Sequence, residues 1–440
     1  MLDLYLNQRF AGAVEVDELG AYTLRYADEW LSSSRGFPLS MSLPLAEQAY
    51  SGKRVENVLR GYLPESKVVL DSWSKRYRIS DPSDPISVLA KVGEDVAGAA
   101  QFVPYDENIA TAELLIELDD AEIAELIADA RVTGGSMPHI ERVPRLSLAG
   151  MQPKFALHRL ENGKWALPAG RAASTHIFKP GRPELDEIER LETALMRAAR
   201  QCGIPTAEAD VMTFGDETTY VTTRYDRLTT DHGIARVHQE DFAQAMGISP
   251  GQKYEDDGGP SAAQYVNLIR ETSSAPTEDI ATFVRLTAFN VAVGNADAHA
   301  KNFGLLIAPS EHVRFAPAYD ISSLAPYPGF GQELAFSIGG ERRYKAIELA
   351  HWQKFARRSG LNADEVVAQV HAVWSRVPDV VGDELKRASV DRTVSGPVEE
   401  LFPSIESRTR MLEQRSTIVP EGPFFTHEQQ DPGASGVDLT

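Results

Sequence analysis

The chain has 440 residues, 42% of them hydrophobic, enough for two domains or one large domain with appendages and a sizeable core. Its 44 Lys and Arg face 64 Asp and Glu, a net charge of -20, which argues against direct gripping of nucleic acid and leaves DNA contact to a basic partner. A single cysteine, Cys202, excludes an intrachain disulfide and a cysteine-based zinc site, and fits a reducing compartment.

Leu2, Leu4 and Leu6 alternate with Asp3, Tyr5 and Asn7, the period of a half-buried strand. Tyr22–Tyr26 reads as a second strand and Val96–Phe102 as the last of a β-rich unit over residues 1–105. No signal-like stretch and no apolar run of about 18 residues occurs, so a soluble, cytoplasmic protein with no membrane partner is expected. Acidic residues interleaved with Leu114, Leu115, Leu118, Ile123, Leu126 and Ile127 predict a helix over 111–130, within a connector at 106–141. The run from Thr133 to Pro138 breaks that pattern.

From 142 the character changes. Strands are expected at 154–158, 175–179, 209–214 and 219–224. A helix at 184–202 shows Ile188, Leu191, Leu195 and Ala198 on one face. Beyond 239 the pattern is mostly helical, interrupted by a loop at 294–304 and strand-like segments at 303–307 and 313–316. The fold class expected is α+β, with a sheet-rich lobe, a helical lobe and a crevice between them. This second unit would end near 385, followed by a helical segment at 386–419 and a disordered tail at 420–440, rich in Pro, Gly, Glu, Gln and Asp.

The run Gly294-Asn295-Ala296-Asp297-Ala298-His299-Ala300-Lys301-Asn302, followed by Tyr319-Asp320, carries the most specific chemistry. Phosphoryl transfer needs one carboxylate to accept a hydroxyl proton, and a carboxamide and a carboxylate to hold Mg²⁺ on the ATP phosphates. Asp297, Asn302 and Asp320 supply those groups in that order. Phe283, Leu286, Phe289 and Val293 suit one helix face and Gly294 its C′ position, so Asp297 falls just past a helix end. Asp and Asn also populate ordinary turns, and His299 reads as a brace for the loop rather than a zinc ligand.

Three further segments fit the same chemistry. The turn from Ser147 to Lys154 could fold over phosphates through its N–H groups. Lys179 ends a strand, as a phosphate-binding lysine would, and Glu187, Glu189 or Glu192 on the next helix could pair with it. The strand running into Val221–Arg227 could serve as an inter-lobe hinge offering backbone groups to adenine.

Together these motifs resemble the HipA family of serine/threonine kinases, toxins of bacterial toxin–antitoxin pairs, from the N-terminus to 385. Leu39–Leu45 is similar to the family's S-x-S-L-P-L stretch. Leu59–Glu65 resembles its N-x-L-P-[DE] region, with Gly61 where Asn is common. Ser147–Lys154 is similar to its S-x-A-G-A-Q-x-K loop, and Arg224–Arg227, His238–Phe242, Lys253–Glu255 and Ser337–Gly340 add to the likeness. Met151 and Pro153 depart from the usual loop residues, and Pro153 lacks an N–H.

The resemblance implies a two-lobed protein-kinase-like fold with an N-terminal β-rich subdomain, acting with ATP and Mg²⁺. It implies Asp297 as catalytic base, Asn302 and Asp320 as metal ligands, Lys154 and Lys179 on the phosphates, and Thr223 and Tyr225 beside adenine. Ser147, Ala149, Gly150, Gln152, His299, Lys301 and Tyr319 would complete the nucleotide site, with Ser147 an autophosphorylation site. It further implies a HipB-like helix-turn-helix antitoxin as partner, DNA reached through it, and a target in the translation machinery such as an aminoacyl-tRNA synthetase. The alternatives are an idle kinase-like corepressor in an antitoxin–DNA complex, or transfer of AMP on the same fold.

Overall fold

A computed structural model describes residues 1–133 and 147–390 apart from 183, 232 and 311, together with 403, 405–407 and 410. Most of the expected break at 133–138, most of the segment at 386–419 and the tail at 420–440 lie outside the described residues.

The first unit is a five-stranded antiparallel sheet in the order Ala49–Ser51, Tyr22–Tyr26, Arg9–Val16, Leu2–Leu6, Ala100–Pro104. Leu2, Leu4 and Leu6 all face the core, as their alternation demands. The last strand starts at Ala100 rather than Val96. Gly98 takes φ +76, and a Cβ there would lie 2.6 Å from the Gln239 nitrogen, so Val96–Ala99 forms a turn pressed into the next unit.

The second sheet has six antiparallel strands in the order Ala209–Phe214, Glu217–Thr223, His176–Pro180, Phe155–Arg159, Trp165–Gly170, Glu113–Leu118. The helix expected over 111–130 is split. Glu113–Leu118 is an edge strand paired with Trp165–Gly170, and Asp120–Thr133 is the helix. Reciprocal bonds mark the switch: Asp119 accepts from the Glu122 N–H at 2.9 Å, and Glu122 accepts from the Asp119 N–H at 2.8 Å. Ile123, Leu126, Ile127 and Ala130 then pack on one sheet face, against Phe155, Phe178 and Val221. Each Phe buried there contributes roughly 1.5–3 kcal/mol. Tyr220, one residue before Val221, joins the other face, covered by Ile188–Gln201 with Cys202 buried at its end.

The remainder is mainly helical: Ala262–Thr272, Pro276–Val293, Leu349–Arg358, Ala363–Trp374 and Val377–Val390. A three-stranded sheet, His238–Asp241, Gly304–Ala308 and His312–Phe315, lies at its junction with the sheet-rich lobe. The larger apolar core is continuous from Leu2 in the N-terminal sheet through Phe283 and Trp352 in these helices. Among the described residues no helix is long and apolar enough to cross a membrane.

Candidate active site

Pro276–Val293 ends at Gly294, which takes the left-handed conformation at φ +70. The chain then turns through Asn295 and Ala296 to Asp297. The Asn295 side chain accepts from the Asp297 N–H at 3.2 Å, while Asn302 Nδ2 donates to the Asp297 carbonyl at 2.9 Å. Asn302 lines the cleft and keeps an amide oxygen, the atom type a hard cation takes. Asp320, beyond the strand His312–Phe315, also adopts a left-handed conformation, φ +59. That conformation is uncommon for any residue but glycine and concentrates at functional sites.

These residues line one cleft of about 250 Å³. Asp297, Asn302 and Asp320 bound it from the helical lobe, with His299, Lys301 and Tyr319. Ala149, Gly150, Gln152, Lys154, Lys179, Thr223 and Tyr225 bound it from the sheet-rich side. Ser147 is not on its wall: the residue is fully buried and its Oγ donates to the Tyr62 carbonyl at 2.7 Å.

Lys179 decides among the three glutamates that sequence left open. Its Nζ lies 2.8 Å from Glu192 Oε1 and also contacts Asp320. Glu187 instead pairs with Arg190. Burial works against the Lys179 charge, yet Asp320 and Glu192 hold its pKa above the usual lysine range. Asp320 is pulled well below the usual carboxylate range: burial opposes this, and Lys179 and Lys154 overcome it. Burial pushes the Lys154 amine down to about 8. That amine donates to the Ala149 carbonyl at 2.7 Å and holds the turn closed, with Gly150 at φ +110.

Asp297 keeps 51% of its side-chain surface open at the cleft mouth. The recess still withdraws it from bulk water, which raises its pKa; Tyr254 opposes the shift and Asp320 adds to it. The Tyr254 hydroxyl donates to Asp297 Oδ1, and its ring meets His299 edge to face at 5.1 Å. Burial, then Lys253 and Lys301, depress His299 to about 3, so its ring is neutral. Lys301, which lines the cleft, is tied to Asp241 at 2.6 Å. On the hinge side Tyr225 and Tyr319 stack at 5.7 Å.

Sequence reasoning did not single out Glu65, Asp241, Lys253 or Tyr254 as site residues. Lys253 pairs with Glu65 of the N-terminal unit at 2.7 Å, and both line the cleft. The Lys253–Glu255 run was visible, but nothing in its spacing placed it beside Asp297.

Residues 2–103 match the HipA N-terminal domain, and residues 146–381, more than half of the chain, match the HipA-like C-terminal domain. The Sinorhizobium fredii protein Y4mE, provisionally named a kinase, is 31% identical over 418 residues, covering 94% of this chain and 98% of that protein. The serine/threonine-protein kinase toxin HipA of Shewanella oneidensis is 29% identical over 398 residues, covering 87% and 88%. A solved Shewanella oneidensis HipA, in complex with HipB and operator DNA, superposes with a TM-score of 0.79 at 25% identity, covering 94% of this chain and 97% of that one. The α+β, kinase-like architecture and both matched domains agree: this chain belongs to the HipA family.

Proposed function

We propose that this chain is an ATP-dependent protein serine/threonine kinase and the toxin half of a toxin–antitoxin pair. The observation that carries this reading is the single cleft on which Asp297, Asn302, Asp320 and the Lys179–Glu192 pair converge. Asp297, open at the mouth, accepts the proton of a substrate serine or threonine hydroxyl as the hydroxyl oxygen attacks the γ-phosphorus and the bond to the β–γ bridging oxygen breaks, releasing ADP. Lys179, fixed by Glu192, and Lys154, at the root of the turn, meet the phosphates. Thr223 and Tyr225 flank the base at the hinge.

The residues fit a magnesium ion. Asn302 spends its amide nitrogen on the Asp297 carbonyl and keeps Oδ1, and on the same cleft the Asp320 carboxylate is kept ionised by Lys179 and Lys154. Mg²⁺ held by these two would neutralise charge on the phosphate oxygens.

The Shewanella relative was solved with HipB and operator DNA. For this chain a HipB-like antitoxin is the proposed partner, with DNA reached through it; the net charge of -20 complements a basic partner. A translation factor such as an aminoacyl-tRNA synthetase is the proposed target. Phosphorylation of Ser147 would require its turn to leave the seat against Tyr62, because the hydroxyl is buried there. A phosphate would then add about two negative charges to a phosphate-binding turn.

Intact-mass spectrometry and γ-labelled ATP in cell extract test the reading. Phosphate transfer to protein supports it. An adenylyl adduct replaces it with AMP transfer. ATP binding without any transfer favours the idle corepressor.

A further inference from the structure

The N-terminal sheet is not an appendage hung beside the cleft. Its core is continuous with that of the helical lobe. At the junction lies a buried group of charges centred on Asp95, which is 6% exposed. Asp95 Oδ1 accepts from Arg227 at 2.8 Å, and Oδ2 accepts from the Ser174 hydroxyl at 2.6 Å and its N–H at 3.0 Å. Arg224 reaches Oδ2 at 3.7 Å and donates to the same Ser174 hydroxyl at 2.8 Å. The Asp95 carbonyl accepts from the Ser147 N–H at 3.3 Å.

One residue of the first unit therefore touches three segments that lead into the cleft. Ser147 opens the phosphate turn. Ser174 precedes the strand His176–Pro180 that carries Lys179. Arg224 and Asp226 flank Tyr225, and their buried side chains bond to each other, with Arg224 also donating to Ser174 and to the Val96 carbonyl, so they hold the segment that carries Tyr225. Two neighbouring contacts complete the seat. The Gly98 N–H donates to Asp226 at 2.6 Å, and Pro64 bridges Gly150 with the Glu65 N–H donating to the Gly150 carbonyl at 3.2 Å. Separating the members of such a buried group leaves charges without partners, which is costly.

We propose that Asp95 is a positioning residue of the nucleotide cleft, fixing the phosphate turn and the hinge at their working separation from within the N-terminal unit. This rests on the reading of the cleft as an ATP site. The N-terminal unit then contributes directly to nucleotide affinity.

The test compares the full chain with Asp95→Asn by amide hydrogen exchange and by ATP titration. Exchange should quicken in 147–152 and 223–226 and stay unchanged in Pro276–Val293. Displacing positioned groups should weaken ATP binding about tenfold, with kcat at saturating ATP within about twofold of the parent. Should Asp95→Asn fail to fold, Ser174→Ala removes a single donor, and the same local pattern is expected. Unchanged exchange in both segments, or exchange raised equally in Pro276–Val293, overturns the proposal. So does unaltered ATP affinity in a chain that binds ATP. If the parent chain binds no ATP, the kinase reading fails, and the exchange pattern alone decides whether Asp95 fixes the two segments.

Discussion

Lys179 and Glu192 form an ion pair of 2.8 Å in which both side chains are withdrawn from water, at 8% and 3% exposure. One sits on a strand of the sheet-rich lobe and the other on the helix behind it. Glu192→Gln should leave Lys179 held by Asp320 alone and drawn off the phosphates. A stability loss of about 2 kcal/mol is expected, short of the ~3–5 kcal/mol for a buried charge stripped of every partner. Urea denaturation measures the first effect, and a raised KM for ATP marks the second.

Tyr254 orients the carboxylate assigned as proton acceptor. Tyr254→Phe should lower kcat about tenfold, the scale of losing one well-aimed hydrogen bond at a reacting group, and leave the KM for ATP unchanged. Tyr254 opposes the upward shift of Asp297, so its removal raises the Asp297 pKa further. The acidic limb of the pH–rate profile should move to higher pH, since Asp297 must be ionised to accept the proton.

Glu240, next in the chain to the cleft residue Asp241, supplies a pH dependence of stability. It is fully buried, accepts from the Met41 N–H at 2.7 Å, and leaves Oε2 without a partner. Burial raises its pKa to about 8, above its unfolded value. The folded state therefore keeps a proton that the unfolded state has lost, and stability falls as pH rises between those two values. Glu240→Gln should flatten that slope, with the gain over the parent chain largest near pH 8 to 9, read from thermal melts across pH.

Removing divalent cations with EDTA should abolish phosphate transfer while leaving the fold intact by circular dichroism. Asn302→Ala should raise the Mg²⁺ concentration needed for half-maximal rate, and transfer that ignores Mg²⁺ would contradict the assignment of Asn302.

Much of this was legible because the signals were local. Period-two leucines marked the first strand, and Gly294 past an apolar helix face marked the turn that presents Asp297. Two kinds of feature were not. Glu113–Leu118 is a strand only because Trp165–Gly170, far along the chain, offers it an edge; its own residues look helical beside the helix that follows. Glu192 and Tyr254 became identifiable only in three dimensions, since Glu187 at the N-cap and Glu189 lie on the same stretch as Glu192 and nothing near Tyr254 in sequence announces Asp297. Ser147 shows the limit from the other side: the motif places it on the phosphate turn, and packing turns its hydroxyl inward to Tyr62.

The most direct test of the central claim is single-turnover transfer from γ-labelled ATP by the parent chain and by Asp297→Asn, with ATP affinity measured alongside. The account predicts transfer lowered by about 10² to 10⁴, with ATP binding nearly unchanged. Transfer at the parental rate from Asp297→Asn would contradict it.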